Sequence, residues 1–212
     1  MSESSTSTCG YHYDDPGAPH THSYLWKPVI AGLADIRRAT GSPRVFDLGC
    51  GNGAFARRLK ALGYEVTGVD PSEQGIALAR KADSELALFT GSAYDPLAAT
   101  YGTFPAVVSL EVVEHVYAPR DYARCIKDLL QPGGHAIIST PYHSYLKNAA
   151  LALSGKMDDH FTALWDHGHI KFWSVRTLTE LFAEQGLLVE KVIRAGRIPI
   201  LGKSMILVFR KS

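Results

Sequence analysis

Val45-Phe46-Asp47-Leu48-Gly49-Cys50-Gly51-Asn52-Gly53 carries a short apolar run straight into three alternating glycines. Residues 44–48 read as a buried strand and residues 54–62 as a helix closed by Gly63. Glycines at such a turn let the backbone bend sharply and approach a ligand closely. A second strand, 65–69, ends at Asp70-Pro71, and Ser72 is a good N-cap for a helix running to Lys81. An acid at the end of that strand is placed to accept hydrogen bonds from ribose hydroxyls. The spacing is Asp-x-Gly-x-Gly-x-Gly, so the third glycine comes too early for the dinucleotide fingerprint. Asp47 would also repel a pyrophosphate. It suits a cationic cofactor that bears an amino acid. The competing reading is a tight strand-to-helix turn with no ligand.

Outward from this loop, strands and helices alternate. Upstream, Leu25, Val29, Leu33 and Ile36 recur at helical spacing from Thr21, with Pro28 near the first turn and Gly41-Ser42-Pro43 as the stop. Downstream, strands are expected at 86–89, 106–110 and 135–139. A helix at 121–130 is stopped by Pro132-Gly133-Gly134. Ser174 caps a helix carrying Leu178, Leu181 and Phe182, and two final strands follow at 187–193 and 204–209. This rhythm predicts an α/β fold, a doubly wound and mostly parallel sheet with helices on both faces. Residues 1–20 read as a flexible arm and residues 21–212 as one domain. Residues 141–173 break the rhythm, with many aromatics and histidines, and read as a lid or substrate-binding insertion.

Composition narrows the function. The 212 residues carry 22 Lys+Arg and 21 Asp+Glu, a net charge of +1, so no basic field gathers nucleic acid. No apolar run approaches the roughly 18 residues of a membrane span, and residues 1–10 lack the pattern of a signal peptide. Cys9, Cys50 and Cys125 are too few and scattered for a disulfide framework, so a reduced, cytoplasmic compartment is expected. Cys50 reads as a small buried residue rather than a nucleophile. No pattern specifies an oligomeric state. The chain does hold nine histidines, three of them (His160, His167, His169) within ten residues.

These motifs together resemble the class I S-adenosylmethionine-dependent methyltransferases. Asp47-Leu48-Gly49-Cys50-Gly51-Asn52-Gly53 is similar to their first motif, and Val69-Asp70-Pro71-Ser72 to their ribose-binding turn. Gly91-Ser92-Ala93-Tyr94 stands where that family contacts adenine. Leu129-Leu130-Gln131-Pro132-Gly133-Gly134 resembles the turn before their fifth strand. The resemblance implies a Rossmann-like seven-stranded sheet with an antiparallel last strand. It implies S-adenosyl-L-methionine as cofactor, held by Asp47, Gly49, Cys50, Gly51, Asp70, Pro71, Ser92, Ala93 and Leu110. Two departures stand out. Ser92 replaces a frequent Asp, which shifts the expected adenine contact to backbone amides. Phe104-Pro105 replaces the usual acid before strand four and reads as structural.

A second constellation follows strand four, in Ser109-Leu110-Glu111-Val112-Val113-Glu114-His115-Val116. If a helical turn starts here, Glu111, Glu114 and His115 share one face. Carboxylates and imidazoles at the carboxyl end of a central strand suit Mg²⁺, Mn²⁺ or Zn²⁺. The pattern resembles ubiquinone-biosynthesis O-methyltransferases and the eukaryotic small-RNA 2′-O-methyltransferases. That resemblance implies a metal held by Glu111, Glu114 and His115, with His169 of His169-Ile170-Lys171-Phe172-Trp173 as fourth ligand and His167 next in line. Many similar methyltransferases need no metal there. In that reading Glu111 and His115 orient the loop or meet the substrate, and His115 or His169 is a general base. Glu111, His115 and His169 are therefore the expected catalytic residues on either reading.

Other residues carry two readings each. His20 and His22, with Tyr24, form a flap over the cofactor or a solvated arm. Phe161, Trp165, Phe172 and Trp173 line an acceptor pocket or form the insertion's own core. Asp158, Asp159 and Asp166 read as solvated loop residues. The Asp/Asn-Pro-Pro-aromatic motif of amide and base N-methylation is missing after strand four. The expected activity is O-methylation of a small-molecule hydroxyl, with or without a divalent metal. The alternatives are metal-independent C- or N-methylation of a natural-product or sugar intermediate, or an inactive cofactor-binding module.

Overall fold

The computed structural model describes residues 23–161, 163–164, 168–196 and 202–212. The expected arm at 1–20 lies outside them, as do His12, His20, His22, Trp165, Asp166 and His167. Seven strands form one sheet: β1 (Arg44–Leu48), β2 (Glu65–Asp70), β3 (Ala87–Thr90), β4 (Phe104–Leu110), β5 (Leu130–Pro141), β6 (Leu187–Ala195) and β7 (Ser204–Lys211). Their spatial order is β3-β2-β1-β4-β5-β7-β6. Pairing is parallel from β3 to β5, and β7 runs antiparallel to both β5 and β6. The doubly wound sheet with its reversed last strand is thus as expected. The sheet order reverses at β1 and β4, so the glycine loop lies at the topological switch point, where open α/β sheets bind ligands.

Alternation along the buried strands divides the core into two layers. On one face Phe46, Leu48, Val107 and Ile138 pack under α5 (Pro119–Leu129) and α8 (Val175–Ala183). On the other, Val45, Ala106, Val108 and Ile137 pack under α1 (Ser23–Thr40), α2 (Ala54–Lys60) and α3 (Glu73–Ala82). In α1 the expected stripe of Leu25, Val29, Leu33 and Ile36 is buried, each such side chain contributing roughly 1.5–3 kcal/mol. Ser72 caps α3 by accepting from the Gly75 amide at 3.1 Å. Ser174 and Thr177 form a reciprocal capping box at α8.

Several boundaries differ from the sequence expectation. β4 starts two residues early because Phe104 is buried, under the Arg44 guanidinium 4.4 Å from its ring centre. Pro105 offers no amide, and the β4–β5 register shifts at that point. Pro132-Gly133-Gly134 does not precede β5; it is a kink inside it. A Cβ on Gly134 would lie 2.9 Å from the Gln131 carbonyl. Three short helices were not expected: α4 (Leu97–Tyr101), α6 (Tyr145–Leu153) and α7 (Met157–Phe161). The latter two bury no residue fully, so they show no apolar stripe to read. Among the described residues no helix is long and apolar enough to cross a membrane.

Candidate functional site

The glycine loop is drawn back onto its own sheet. The Gly49 and Cys50 amides both donate to the Val69 carbonyl, at 2.8 and 3.1 Å. Gly49 has φ 87°, and a Cβ there would lie 2.4 Å from Val112 Cγ2. Only glycine lets the loop pass so close to the segment after β4. Asp70 ties the loop down from β2. Its Oδ2 accepts from the Gly51 amide at 2.8 Å, and its Oδ1 from the Ser72 amide at 2.8 Å. Each oxygen keeps a second lone pair for a ligand hydroxyl.

Asp47 is different. It is 3% exposed, and its Oδ2 has no hydrogen-bond partner. Burial, reinforced by the charge of Asp70, pushes its carboxyl up to about 7. Such a group is stabilised by an incoming cation. Cys50 is buried and its thiol is pushed well up, chiefly by burial, which agrees with a small core residue. Pro71 is exposed beside the loop. Ser92 and Ala93 follow β3, but the Ser92 amide already donates to Asp95 Oδ2 at 2.7 Å. That amide is therefore committed within its own turn, where a free donor was expected. Leu110 ends β4, one residue before Glu111. The cofactor residues expected from the sequence thus gather at the carboxyl ends of β1, β2, β3 and β4.

The segment after β4 is a turn rather than the start of a helix. Glu111 has φ 56°, the one positive value among the described non-glycine residues. This left-handed step aims Glu111 away from the face expected for it. Its amide donates to the Ser139 carbonyl and hydroxyl, and its Oε1 accepts from Ser139 Oγ at 2.8 Å. Its Oε2 accepts from Ser204 Oγ at 3.2 Å, and Ser204 meets the Tyr24 hydroxyl at 2.8 Å. Sequence reasoning named neither serine: a single serine at the end of a strand carries no signal.

Glu114, His115 and His169 come together, with ligand atoms all within 4.8 Å of one another. Glu111 does not join them. Glu114 is 1% exposed, and neither carboxylate oxygen makes a hydrogen bond. Burial, then the charge of Glu111, holds its carboxyl well above the usual range. His115 Nδ1 lies 3.1 Å from the Gly168 carbonyl. A carbonyl only accepts, so Nδ1 carries the proton. His169 Nε2 is 4.0 Å from Glu114 Oε1, and burial pushes the His169 imidazole down to about 4.

Backbone contacts explain how residues so far apart in sequence meet. The Ile170 and Lys171 amides both donate to the Glu114 carbonyl, and Trp173 Nε1 donates to the Val113 carbonyl at 3.0 Å. Trp173 therefore anchors the end of the insertion. Phe161 and Phe172 pack edge to face at 5.0 Å, with His143 and His160 beside them. These four rings form one aromatic cluster after β5.

Comparisons with known proteins bear on the family and the fold. The family model described as a methyltransferase domain matches residues 20–192. The ubiquinone biosynthesis O-methyltransferase of Ruegeria pomeroyi is 33% identical over 174 residues, 79% of this chain and 69% of that protein. The mitochondrial ubiquinone biosynthesis O-methyltransferase of Homo sapiens is 30% identical over 157 residues, 71% of this chain and 42% of that protein. The match thus spans less than half of some curated relatives. The magnesium protoporphyrin IX methyltransferase of Synechocystis PCC 6803, solved with bound S-adenosylhomocysteine, superposes with a TM-score of 0.67. It covers 96% of this chain and 90% of that one at 17% identity, a likeness of fold.

Proposed function

Because the chain belongs to the S-adenosylmethionine-dependent methyltransferases, the family its residues 20–192 match, we propose that it methylates a hydroxyl of a small-molecule acceptor. The observation that carries this reading is the trio of Glu114, His115 and His169 beside the glycine loop, with both Glu114 oxygens buried and unpaired. With a divalent cation bound, such a group would stabilise the oxyanion that an O-methylation needs. The names of the relatives, O-methyltransferases of ubiquinone biosynthesis, favour oxygen over carbon or nitrogen as the acceptor atom.

When bound, S-adenosylmethionine supplies a methyl group on a sulfonium, open to in-line attack by an oxyanion. The Asp47 carboxylate, whose Oδ2 has no hydrogen-bond partner, would hold the ammonium of its amino acid. The backbone at Gly49, Cys50 and Gly51 lets the cofactor approach closely. Asp70, steadied by two amides, receives the ribose hydroxyls, with Pro71 beside it. Ser92, Ala93 and Leu110, at the ends of β3 and β4, would hold the adenine side. Residues 141–173 form the lid that selects the acceptor.

The residues of the trio fit a divalent metal. Glu114 has two oxygens without a hydrogen bond, His115 carries its proton on Nδ1, and burial keeps His169 neutral at pH 7. Mg²⁺, Mn²⁺ or Zn²⁺ held there would act as a Lewis acid on the acceptor oxygen. The imidazole-to-carboxylate approach of His169 to Glu114 favours a second reading, in which Glu114 orients His169 as a general base.

Turnover to S-adenosylhomocysteine with a panel of phenols and catechols, with and without chelator, tests the proposal. Loss of activity on chelation and its return with Mn²⁺ is the outcome expected for a metal. Activity indifferent to chelator but lost in His169→Ala supports the base. If no hydroxylated acceptor turns over under any of these conditions, O-methylation is wrong and an inactive cofactor-binding module takes its place.

A further inference from the structure

The sheet divides below the glycine loop. β1 and β4 pair in parallel as far as Asp47 and Val108. Beyond that point each strand stays with its other neighbour, β1 with β2 through Leu48 and Val69, and β4 with β5 through Leu110 and Ser139. The middle of the sheet therefore opens before its flanks do, at the switch point where open α/β sheets bind ligands. The split takes from the Leu48 carbonyl the ladder amide that would come next, at a residue only 1% exposed. A buried carbonyl left in this way costs free energy unless a side chain answers it. Ser109, 61 residues away and fully buried, does so: its Oγ donates to the Leu48 carbonyl at 2.7 Å. It is the only polar side chain of β4. A second contact crosses the split higher up, where Gly49 approaches Val112 too closely for a Cβ to fit.

We propose that Ser109 is a positioning residue for the cofactor, its hydroxyl serving as a side-chain rung that fixes how far β1 and β4 part. One lip of the split carries Asp47 and Gly49, and the other carries Leu110. The width between them sets the spacing of the groups that hold the amino-acid end and the adenine side of S-adenosylmethionine. The hydroxyl reaches the carbonyl across its own side chain, so it ties the strands together without the closer approach that an amide rung needs. An apolar residue there would leave the carbonyl unanswered and the spacing free. Ser109 acts through Leu48 and not on the ligand itself. The proposal rests on the reading that the cofactor lies in this split, with its ammonium at Asp47.

Calorimetric titration of the full chain with S-adenosylhomocysteine tests it, with thermal melting to show that each variant folds. Ser109→Thr and Ser109→Val share one shape and differ only in the hydroxyl. Ser109→Thr should bind within about threefold of wild type, and Ser109→Val roughly tenfold more weakly. Ser109→Ala, which adds no volume, should lose as much as Ser109→Val. Val107→Ala lies on the same face of β4 and is buried. It should lower the melting temperature yet keep wild-type affinity wherever it is folded. Equal affinity of the Ser109→Thr and Ser109→Val variants, or wild-type affinity in Ser109→Ala, overturns the rung. So does an equal loss in Val107→Ala, because affinity would then follow stability alone. Asp47→Asn tests the placement of the cofactor separately and should weaken binding roughly tenfold or more. If Asp47→Asn binds as wild type while Ser109→Val and Ser109→Ala bind weakly, that placement fails and the rung stands. If Asp47→Asn binds weakly and the Ser109 variants bind as wild type, the rung fails and the placement stands. No binding by wild type overturns both.

Discussion

The two halves of the site are built on opposite plans. The glycine loop with Asp70 is local and almost self-sufficient: one carboxylate and one carbonyl satisfy four backbone amides within a few residues of two strand ends. The region after β4 is assembled from afar, with 93 residues between Glu111 and Ser204 and 180 between Tyr24 and Ser204. It also leaves a buried carboxylate, Glu114, without a hydrogen bond. The first half is rigid because its backbone leaves no choice. The second is costly to stability and held in place by long-range contacts. A cofactor common to many acceptors suits the first plan, and an acceptor-specific centre suits the second.

Substitutions in the two halves should therefore fail differently. The largest effect is expected from Gly49→Val. Its side chain would collide with Val112 and demand a left-handed backbone, so stability falls by about 4 kcal/mol or more. Chemical denaturation measures the loss, and cofactor affinity falls with it. Next comes pH. The Asp47 carboxyl is held at about 7 in the folded chain, above its ordinary value near 4. A raised acid favours folding while it is protonated. Its contribution is fully present below about pH 4 and is lost as pH rises towards 7, by up to about 4 kcal/mol. Asp47→Asn should flatten that part of the stability curve of the cofactor-free protein. A parallel decline in the variant would show that Asp47 is not its source.

In the other half the sign reverses. Glu114→Met removes a buried carboxyl that makes no hydrogen bond, so stability should rise by about 1–3 kcal/mol while turnover disappears. A destabilised variant would mean that Glu114 is better satisfied than its geometry indicates. The smallest effect is Trp173→Phe, which loses the hydrogen bond to the Val113 carbonyl. About 1 kcal/mol of stability should go, with a rise in KM for the acceptor and none for the cofactor. Equal changes in both constants would contradict the division between the halves.

The same division decided what could be read in advance. The cofactor half lies in contiguous stretches, so Asp47 to Gly53 and Asp70 were legible one after another, and so was the strand rhythm that carries them. His115 and His169 were legible because one closes the Glu-x-x-Glu-His pattern and the other opens His169-Ile170-Lys171-Phe172-Trp173. Glu111 was misplaced because the Glu-x-x-Glu-His spacing predicts a shared helical face, and the left-handed step at its first residue undoes that periodicity. Ser139 and Ser204 were invisible, since their role exists only after β5 and β7 pair. The helices of the insertion were missed because Tyr145–Leu153 buries no side chain fully, so the usual apolar stripe never forms.

The reversed strand β7 has a consequence for the order in which the molecule becomes active. It is the last of the seven strands in chain order, yet it lies between β5 and β6. Running backwards, it starts at the edge of the sheet where its parallel neighbours finish, and so delivers Ser204 to the site. A nascent chain that already carries the glycine loop and the trio still has β5 and β6 unjoined, each with an open pairing edge. Glu111 gains its second hydroxyl only when that gap is filled. On the ribosome, the glycine loop can therefore form early, and the region after β4 is finished by the closing of the sheet.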